Sequence, residues 1–447
     1  MRKMLIGSAL AIALAGHSAV ASTVTLTCRC VEGGVNSAEV TWLKTFVFPS
    51  FEKKMADEGR DITVRLVEFG GGDEGLKEQY ALDLSVGSGA DIMSFDGFWV
   101  PEFVEGELLK PLNQVVGASV DEWEGWAHIP EGIQAVLSFQ GERYGVPGGT
   151  DVRQIFYRTD VFERAGIPAP WQPTSWQEII DTGMKLRDAG IEIPIQLNAG
   201  TSMGEATTMQ GYFMALLGAG EHMYDFEQNK WIASSSGILD TLNFYHTIYV
   251  KENLGAARVQ LVSDGRNQSF EAFRDGKVGM LVEGDWFWRS PMRREMGEEK
   301  RNEFVSFAKM PAREPGAGFR GQDFVTISGG TGWLINPNSE NPQDAWELLA
   351  FMSSAEAVRA KELIQPRISF RDDVSVAGDP VMTAMADALL SLSTVRPLLP
   401  AYPKISVEAQ LMTERVVSGE FTPEEAMAAY AEAVIEIVGE DNAIIGQ

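Results

Sequence analysis

The chain has 447 residues, with 63 acidic against 37 basic side chains and a formal net charge of −26 at pH 7. That balance argues against nucleic acid and anionic lipid as partners, because phosphates need a Lys/Arg-rich surface. The length is enough for two or three domains and a large core.

The N-terminus reads as an export signal. Arg2 and Lys3 form a positive start, Met4 to Gly16 an apolar run, and Ala19-Val20-Ala21 a small-x-small cleavage site. Residues 1–21 are therefore expected to leave as a signal peptide, with Ser22 as the mature start. The mature chain then carries 35 basic and 63 acidic residues, a net charge of −28. No later run reaches the roughly 18 apolar residues that a membrane span needs, so no direct membrane insertion is expected. Thr25-Leu26-Thr27 before Cys28 fits a lipid-attachment site poorly. A free periplasmic protein follows.

Val24, Leu26, Cys28 and Cys30 alternate as a first strand. The two cysteines are expected to be reduced, because a disulfide ring enclosing one residue is strained. The four histidines (17, 128, 222 and 246) are scattered, so no metal site and no cofactor is expected. Ser37 reads as the cap of a helix with Val40, Leu43 and Val47 on one stripe, and Pro49 as its kink or restart. Ile62, Val64 and Leu66 make a second strand. A helix near Leu76–Val86 leads to a third strand, Asp91–Phe95. Gly70 to Gly75 matches a dinucleotide-loop string, but Asp73 and Glu74 would repel a pyrophosphate there, so an acidic loop is expected.

Beyond residue 150 the alternation resumes. Strands are expected at Gln154–Arg158 and Ile193–Leu197, and a helix opens at Thr174-Ser175 with Glu178 in its first turn. The order predicts α/β lobes, each a largely parallel sheet flanked by helices. Ser269 to Trp288 is the most informative stretch. Phe270 and Phe273 share a helical face, Asp275-Gly276 turns the chain, and Val278, Met280 and Val282 form a strand. Gly284-Asp285 ends that strand and presents Trp286, Phe287 and Trp288. Ligands of open α/β sheets lie beyond the carboxyl ends of strands, and an aromatic cluster there suits the apolar face of a sugar ring.

This segment resembles one in the extracellular solute-binding proteins of bacterial ABC importers, in the sugar-binding group that includes maltose-binding protein. Further landmarks appear in matching order. Gly141 to Pro147 resembles a first hinge strand. Ile155-Phe156-Tyr157-Arg158 resembles the opening strand of a second lobe, with Arg158 in place of the usual Asn. Phe324 to Gly330 resembles the return crossing, followed by Trp333-Leu334-Ile335-Asn336. The resemblance implies a two-lobed type II periplasmic binding protein with hinge strands between the lobes. One lobe would comprise residues 22–145 plus 328–370 and the other 146–327 plus 371–447. It also implies capture of a carbohydrate in the interlobe cleft by a monomer, and delivery to the permease subunits of an ABC transporter.

Candidate ligand contacts follow. Asp96 and Trp99 lie after the third strand, a carboxylate for paired hydroxyls beside a ring. Asp151 lies six residues before Tyr157, the position of an acidic contact in the resembling group, and Arg153 is a donor beside it. Glu32 follows the first strand next to Gly33-Gly34, and Glu205 follows a second-lobe strand. Gly330 and Trp333 lie just past the return crossing, Arg367 in a loop resembling one that reaches the cleft, and Trp286 and Trp288 form the platform. No catalytic residue is assigned. The same carboxylates would suit a polyamine site or, as a third reading, a glycoside hydrolase pair. No nucleophile elbow, H-E-x-x-H or Walker loop is present.

Overall fold

A computed structural model describes residues 21–376 and 378–446. The expected signal peptide, apart from Ala21, lies outside these residues. Two main sheets organise the chain. The first is built from β1 (Ser22–Cys28), β2 (Ile62–Glu68), β3 (Ile92–Asp96) and β4 (Gly145–Thr150), with a strand returning from far downstream. The second uses β5 (Arg153–Arg158), β6 (Ile193–Gln196), β7 (Val278–Gly284) and β8 (Val305–Ala308). The return runs through β9 (Phe324–Ser328) and β10 (Gly330–Ile335), and β11 (Ser393–Val395) pairs with β9. Strand order is β2-β1-β3-β10-β4 in one sheet and β8-β5-β7-β6 in the other. The result is a two-lobed α/β fold with helices covering the sheets.

The sheets are mixed, where the alternation alone suggested largely parallel ones. β1 is parallel to β2 and β3, with Ser22 opposite Ile62 and Leu26 opposite Ile92. β10 runs antiparallel to both β3 and β4. In the second sheet β7 is parallel to β6 but antiparallel to β5. The physical reason is the chain path. A crossover helix brings the chain back to the same end of the sheet and gives parallel neighbours. Strands that cross between lobes enter from the opposite end.

Local expectations hold where a cap or stripe carries them. Val24, Leu26 and Cys28 are buried with Val40, Leu43 and Val47 in one apolar core. The helix carrying that stripe runs as α1 (Ser37–Trp42), a π turn over Leu43–Val47, and α2 (Phe48–Asp57). Asn36, not Ser37, takes the cap position, in a left-handed conformation with φ 47°. Pro49 falls in the first turn of α2, and the wider π turn before it accommodates the missing N–H without ending the helix. Upstream of the helix Trp176–Asp188, Ser175 Oγ accepts the Glu178 N–H at 3.3 Å, and Thr174 N–H donates back to Glu178 Oε2 at 2.7 Å. This reciprocal pair satisfies two donors that the helix end leaves free.

Cys28 and Cys30 form a disulfide, which corrects the expectation of two thiols. β1 ends at Cys28 and the chain turns, with the Cys30 N–H donating to the Cys28 carbonyl at 2.8 Å. The two Cα atoms stand 5.3 Å apart, inside the ordinary range for a bridge. Extended geometry through Cys30 was the assumption that failed.

His222 sits among Phe213, Phe226 and Phe319, with ring centroids 5.2, 5.2 and 5.5 Å away. Its Nε2–H donates to the Val395 carbonyl at 3.0 Å, and its Nδ1 accepts the Tyr224 N–H at 3.3 Å. Burial lowers its pKa from 6.5 to about 4. The folded protein therefore binds fewer protons than the unfolded chain between those values, and stability falls as pH drops from about 6.5 through 4. His222→Phe is expected to lower the melting temperature at pH 7 by stranding two backbone groups, at a cost of about 1–3 kcal/mol. It should also flatten the decline between pH 6.5 and 4. Melting curves across that range check this, and an unchanged slope would remove His222 as the source.

Candidate functional site

Charged side chains collect where the two lobes face one another, in three linked groups. The first is centred on Arg396, just beyond β11. Its guanidinium pairs with Asp96, at the carboxyl end of β3, and donates to Glu205 Oε1 at 2.8 Å. It also lies over the Phe98 ring, 4.0 Å from the centroid. Glu205 further accepts from the Tyr402 hydroxyl and from Ser406 Oγ, the latter at 2.6 Å. Phe98 stands edge-on to Tyr402 at 5.7 Å, so apolar packing joins the lobes here as well. Protein surrounds Asp96, yet 26% of its side chain is open to solvent. Burial pushes its pKa up to about 7 against the pull of Arg396, and Asp73, Glu205 and Asp151 add to the rise.

The second group lies at the crossings. Asp151 pairs with the Arg153 guanidinium and accepts the Gly329 N–H at 2.7 Å. Arg153 is buried; it donates to the Ile327 carbonyl at 2.9 Å and to Gln210 at 3.2 Å. Its Cζ lies 4.9 Å from the Trp286 ring centroid, and the Arg266 Cζ lies 6.0 Å away. Arg266 forks onto the buried Glu283 of β7 with bonds of 2.9 and 2.8 Å. Trp286 is half-buried, its indole resting against Gly284, where a Cβ would collide with the ring. Only glycine allows that approach at the strand end.

The third group holds Asp285, Arg289, Gln365, Arg367, Glu39 and Lys361. Arg289 Nε donates to Asp285 Oδ2 at 3.1 Å. Lys361 Nζ donates to Glu39 Oε1 at 2.8 Å and lies 4.5 Å from the Trp42 ring centroid. Burial lowers Lys361 to about 8, and Glu39 works against that shift.

The structure thus brings together Asp96, Glu205, Asp151, Arg153, Trp286 and Arg367, and leaves other candidates elsewhere. Glu32 is exposed and paired with Lys44 at 2.8 Å, because the turn after β1 faces solvent. Trp99 is buried edge-on to Phe95 at 5.3 Å, and its neighbour Phe98 presents a face instead. Trp333 is a core residue of β10, facing Val146 and Ser94 in register. Gly330 is buried, and a Cβ there would collide with Val136. Trp288 is a correction to the paired platform. It is fully buried, donates its Nε1–H to Asp379 at 2.9 Å, and carries Arg301 4.0 Å from its ring centroid. Phe287 is buried too, against Phe270 and Phe273 at 4.9 and 5.1 Å. The chain turns helical after Gly284 and drives Phe287 and Trp288 into the core while Trp286 stays half-open. Sequence reading missed Arg396, Tyr402, Arg266, Glu283, Arg289, Glu39 and Lys361. Only the spacing of Asp285 and Arg289, four apart on a helical turn, carried a local signal.

Comparison with known proteins matches residues 43–359 to the family model for the bacterial extracellular solute-binding protein. A protein of Brucella abortus (strain 2308) named as a binding protein is 27% identical over 277 residues, 62% of this chain. That match spans 61% of the Brucella protein's own length. The arabinooligosaccharide-binding protein of Halalkalibacterium halodurans is 23% identical over 293 residues, 63% of this chain and 58% of that one. An ABC transporter solute-binding protein of Thermotoga lettingae, solved with α-D-tagatose, superposes with a TM-score of 0.76 at 27% identity. It covers 94% of this chain and 100% of its own.

The two tryptophans should separate in stability. Trp288→Ala removes a fully buried indole and is expected to cost about 3–5 kcal/mol. Trp286→Ala, at a half-open position, should cost roughly 1 kcal/mol or less. Denaturant unfolding of both variants checks the ordering, and equal losses would place Trp286 in the core.

Proposed function

The chain belongs to the bacterial extracellular solute-binding protein family, and from that premise we propose that it captures a carbohydrate between its lobes and delivers it to the permease of an ABC transporter. The observation that carries the reading is Trp286. It is a half-open indole at the carboxyl end of β7, with Arg153 and Arg266 over its ring, Asp151 paired to Arg153, and Asp151 and Glu205 close enough to Asp96 to raise its pKa. The sugars in the names of the Thermotoga and Halalkalibacterium proteins support it.

The lobes are close to residues 22–145 with 328–370, and 146–327 with 371–447, with the first crossing moved to residues 151–152 because β4 stays in the first sheet. In favour of this division, helices Pro342–Met352 and Ala355–Ile364 contribute buried residues to the core of β1. Helix Pro380–Leu389 packs instead with β7 and Trp288. Asp96, Asp151 and Glu205 accept hydroxyl hydrogen bonds, Arg153 and Arg266 donate, and Trp286 covers a ring face. A ligand touching both lobes shifts the population toward the closed form that the permease docks. Micromolar affinity, on the order of −8 kcal/mol, needs only a few such contacts on a preorganised site. The protein works as an exported periplasmic monomer whose role is capture, a reading supported by the family and by the pairing of Asp96, Asp151 and Glu205 with arginines. Among the described residues no helix is long and apolar enough to cross a membrane.

A polyamine is the weaker alternative, because Arg396 already fills the cation cage formed by Asp96, Glu205 and Phe98.

A thermal-shift screen of mono-, di- and oligosaccharides and polyamines tests the reading, since a ligand of the native state raises the melting temperature. With the sugar found, Trp286→Ala should weaken binding at least tenfold, about 1.4 kcal/mol. Asp151→Asn should weaken it strongly. Asp275→Asn, at an exposed pair with Arg274, should leave it unchanged. Equal effects of the two Asn variants would place the cleft elsewhere.

A further inference from the structure

Two arginines from opposite sides of the cleft meet on one uncharged acceptor. Arg289 lies just past β7 of the four-stranded sheet, and Arg367 lies just past the helix Ala355–Ile364 that packs with β1. Arg289 Nη1 donates to Gln365 Oε1 at 2.9 Å, and Arg367 Nη2 reaches the same oxygen at 3.4 Å. Arg367 Nε is buried with no partner. Its ion-pair contact, with Glu39 Oε2, is long at 3.7 Å, while Lys361 already holds the other oxygen of that carboxylate.

Bringing two guanidiniums together out of bulk water is unfavourable unless negative charge lies with them. Two of the nearby carboxyls are already committed, Asp285 Oδ2 to Arg289 Nε at 3.1 Å and Glu39 Oε1 to Lys361 at 2.8 Å. Glu362 is pushed up to about 7 by burial, and its Oε1 has no partner. Burial raises Asp285 as well, and its Oδ1 is likewise unpartnered. Lys361 adds a third cation to the same group. Both arginines keep about a sixth of their side-chain surface open, 15% and 16%.

We propose that Arg289 and Arg367 form an anion subsite at one end of the cleft, and that the solute is an acidic carbohydrate whose carboxylate sits between the two guanidiniums. This rests on the carbohydrate reading above and narrows it to sugars of the uronic acid type. The planar fork of arginine matches a carboxylate bidentately, and each donor group comes from a different lobe. The acid group is therefore bound best when the lobes are closed, so it contributes to closure as well as to affinity.

Matched pairs test it: galacturonate against galactose and glucuronate against glucose, by thermal shift and calorimetry on the purified protein. The acidic member of at least one pair is expected to bind ten times or more tighter than its neutral partner. Arg367→Gln should abolish that preference, bringing the affinity for the acidic member down to that of its neutral partner. Acidic and neutral members binding equally would overturn the subsite and leave the carbohydrate reading in place. Silence toward every sugar would overturn both. A sugar-independent readout covers loss of fold in the variant. At constant ionic strength, replacing chloride by sulfate should raise the wild-type melting temperature more than that of Arg367→Gln or Arg289→Gln. Equal rises count against the subsite.

Discussion

The chain crosses between its lobes at β4–β5 and returns at β9–β10, and Asp151 with Arg153 ties the two crossings together. The Arg153 N–H donates to Thr326 Oγ, which donates back to the Arg153 carbonyl, both at 2.9 Å. The guanidinium reaches the Ile327 carbonyl, and Asp151 takes the Gly329 N–H. Thr150 and Ser328 add a hydroxyl pair at 2.9 Å. Backbone groups that leave a sheet need partners once buried, and here the second crossing supplies those of the first. The same arginine lies beside Trp286. The connection between lobes and the floor of the cleft are thus one hydrogen-bonded unit, and a change in lobe angle is felt at the site.

Charge is arranged against the overall balance. The protein as a whole is strongly acidic, yet Arg153, Arg266, Arg289, Arg367 and Arg396 line or approach the interlobe space. Most carboxylates there are engaged: Asp96 and Glu205 by Arg396, Glu283 by Arg266, Asp151 by Arg153. Ion pairs at such depth gain more from Coulomb attraction than surface pairs do, and they lose more in desolvation. Their value here is orientation. A carboxylate fixed by a guanidinium still has lone pairs to offer a hydroxyl, and it points in one direction.

The strand–helix alternation, the Ser175–Glu178 cap and the stripe of Val40, Leu43 and Val47 were legible in the chain because each depends on neighbours within a few residues. Trp286 could be picked out for the same reason: Gly284-Asp285 breaks the strand and leaves the next side chain at its carboxyl end. Trp288 could not be told from it. Two positions on, the chain has turned helical, and Asp379, Arg301 and the rings of a distant core decide that its indole is enclosed. Trp99 and Trp333 went the same way, since a ring beside a loop in sequence is often a ring against a sheet in space.

By itself the sequence determined the α/β composition, the order of the elements, the landmarks of the two crossings and the absence of a nucleic-acid or membrane-binding charge pattern. These are properties of periodicity, caps and composition, which short-range physics sets. Tertiary structure decided the antiparallel entry of β10, the Cys28–Cys30 bridge and the membership of the cleft. Arg396 lies 300 positions from Asp96, and Lys361 lies 322 from Glu39. No local pattern links such partners. They meet because the return crossing and the helices after it fold back on both lobes, and a buried charge must find its counter-charge wherever the chain path puts one.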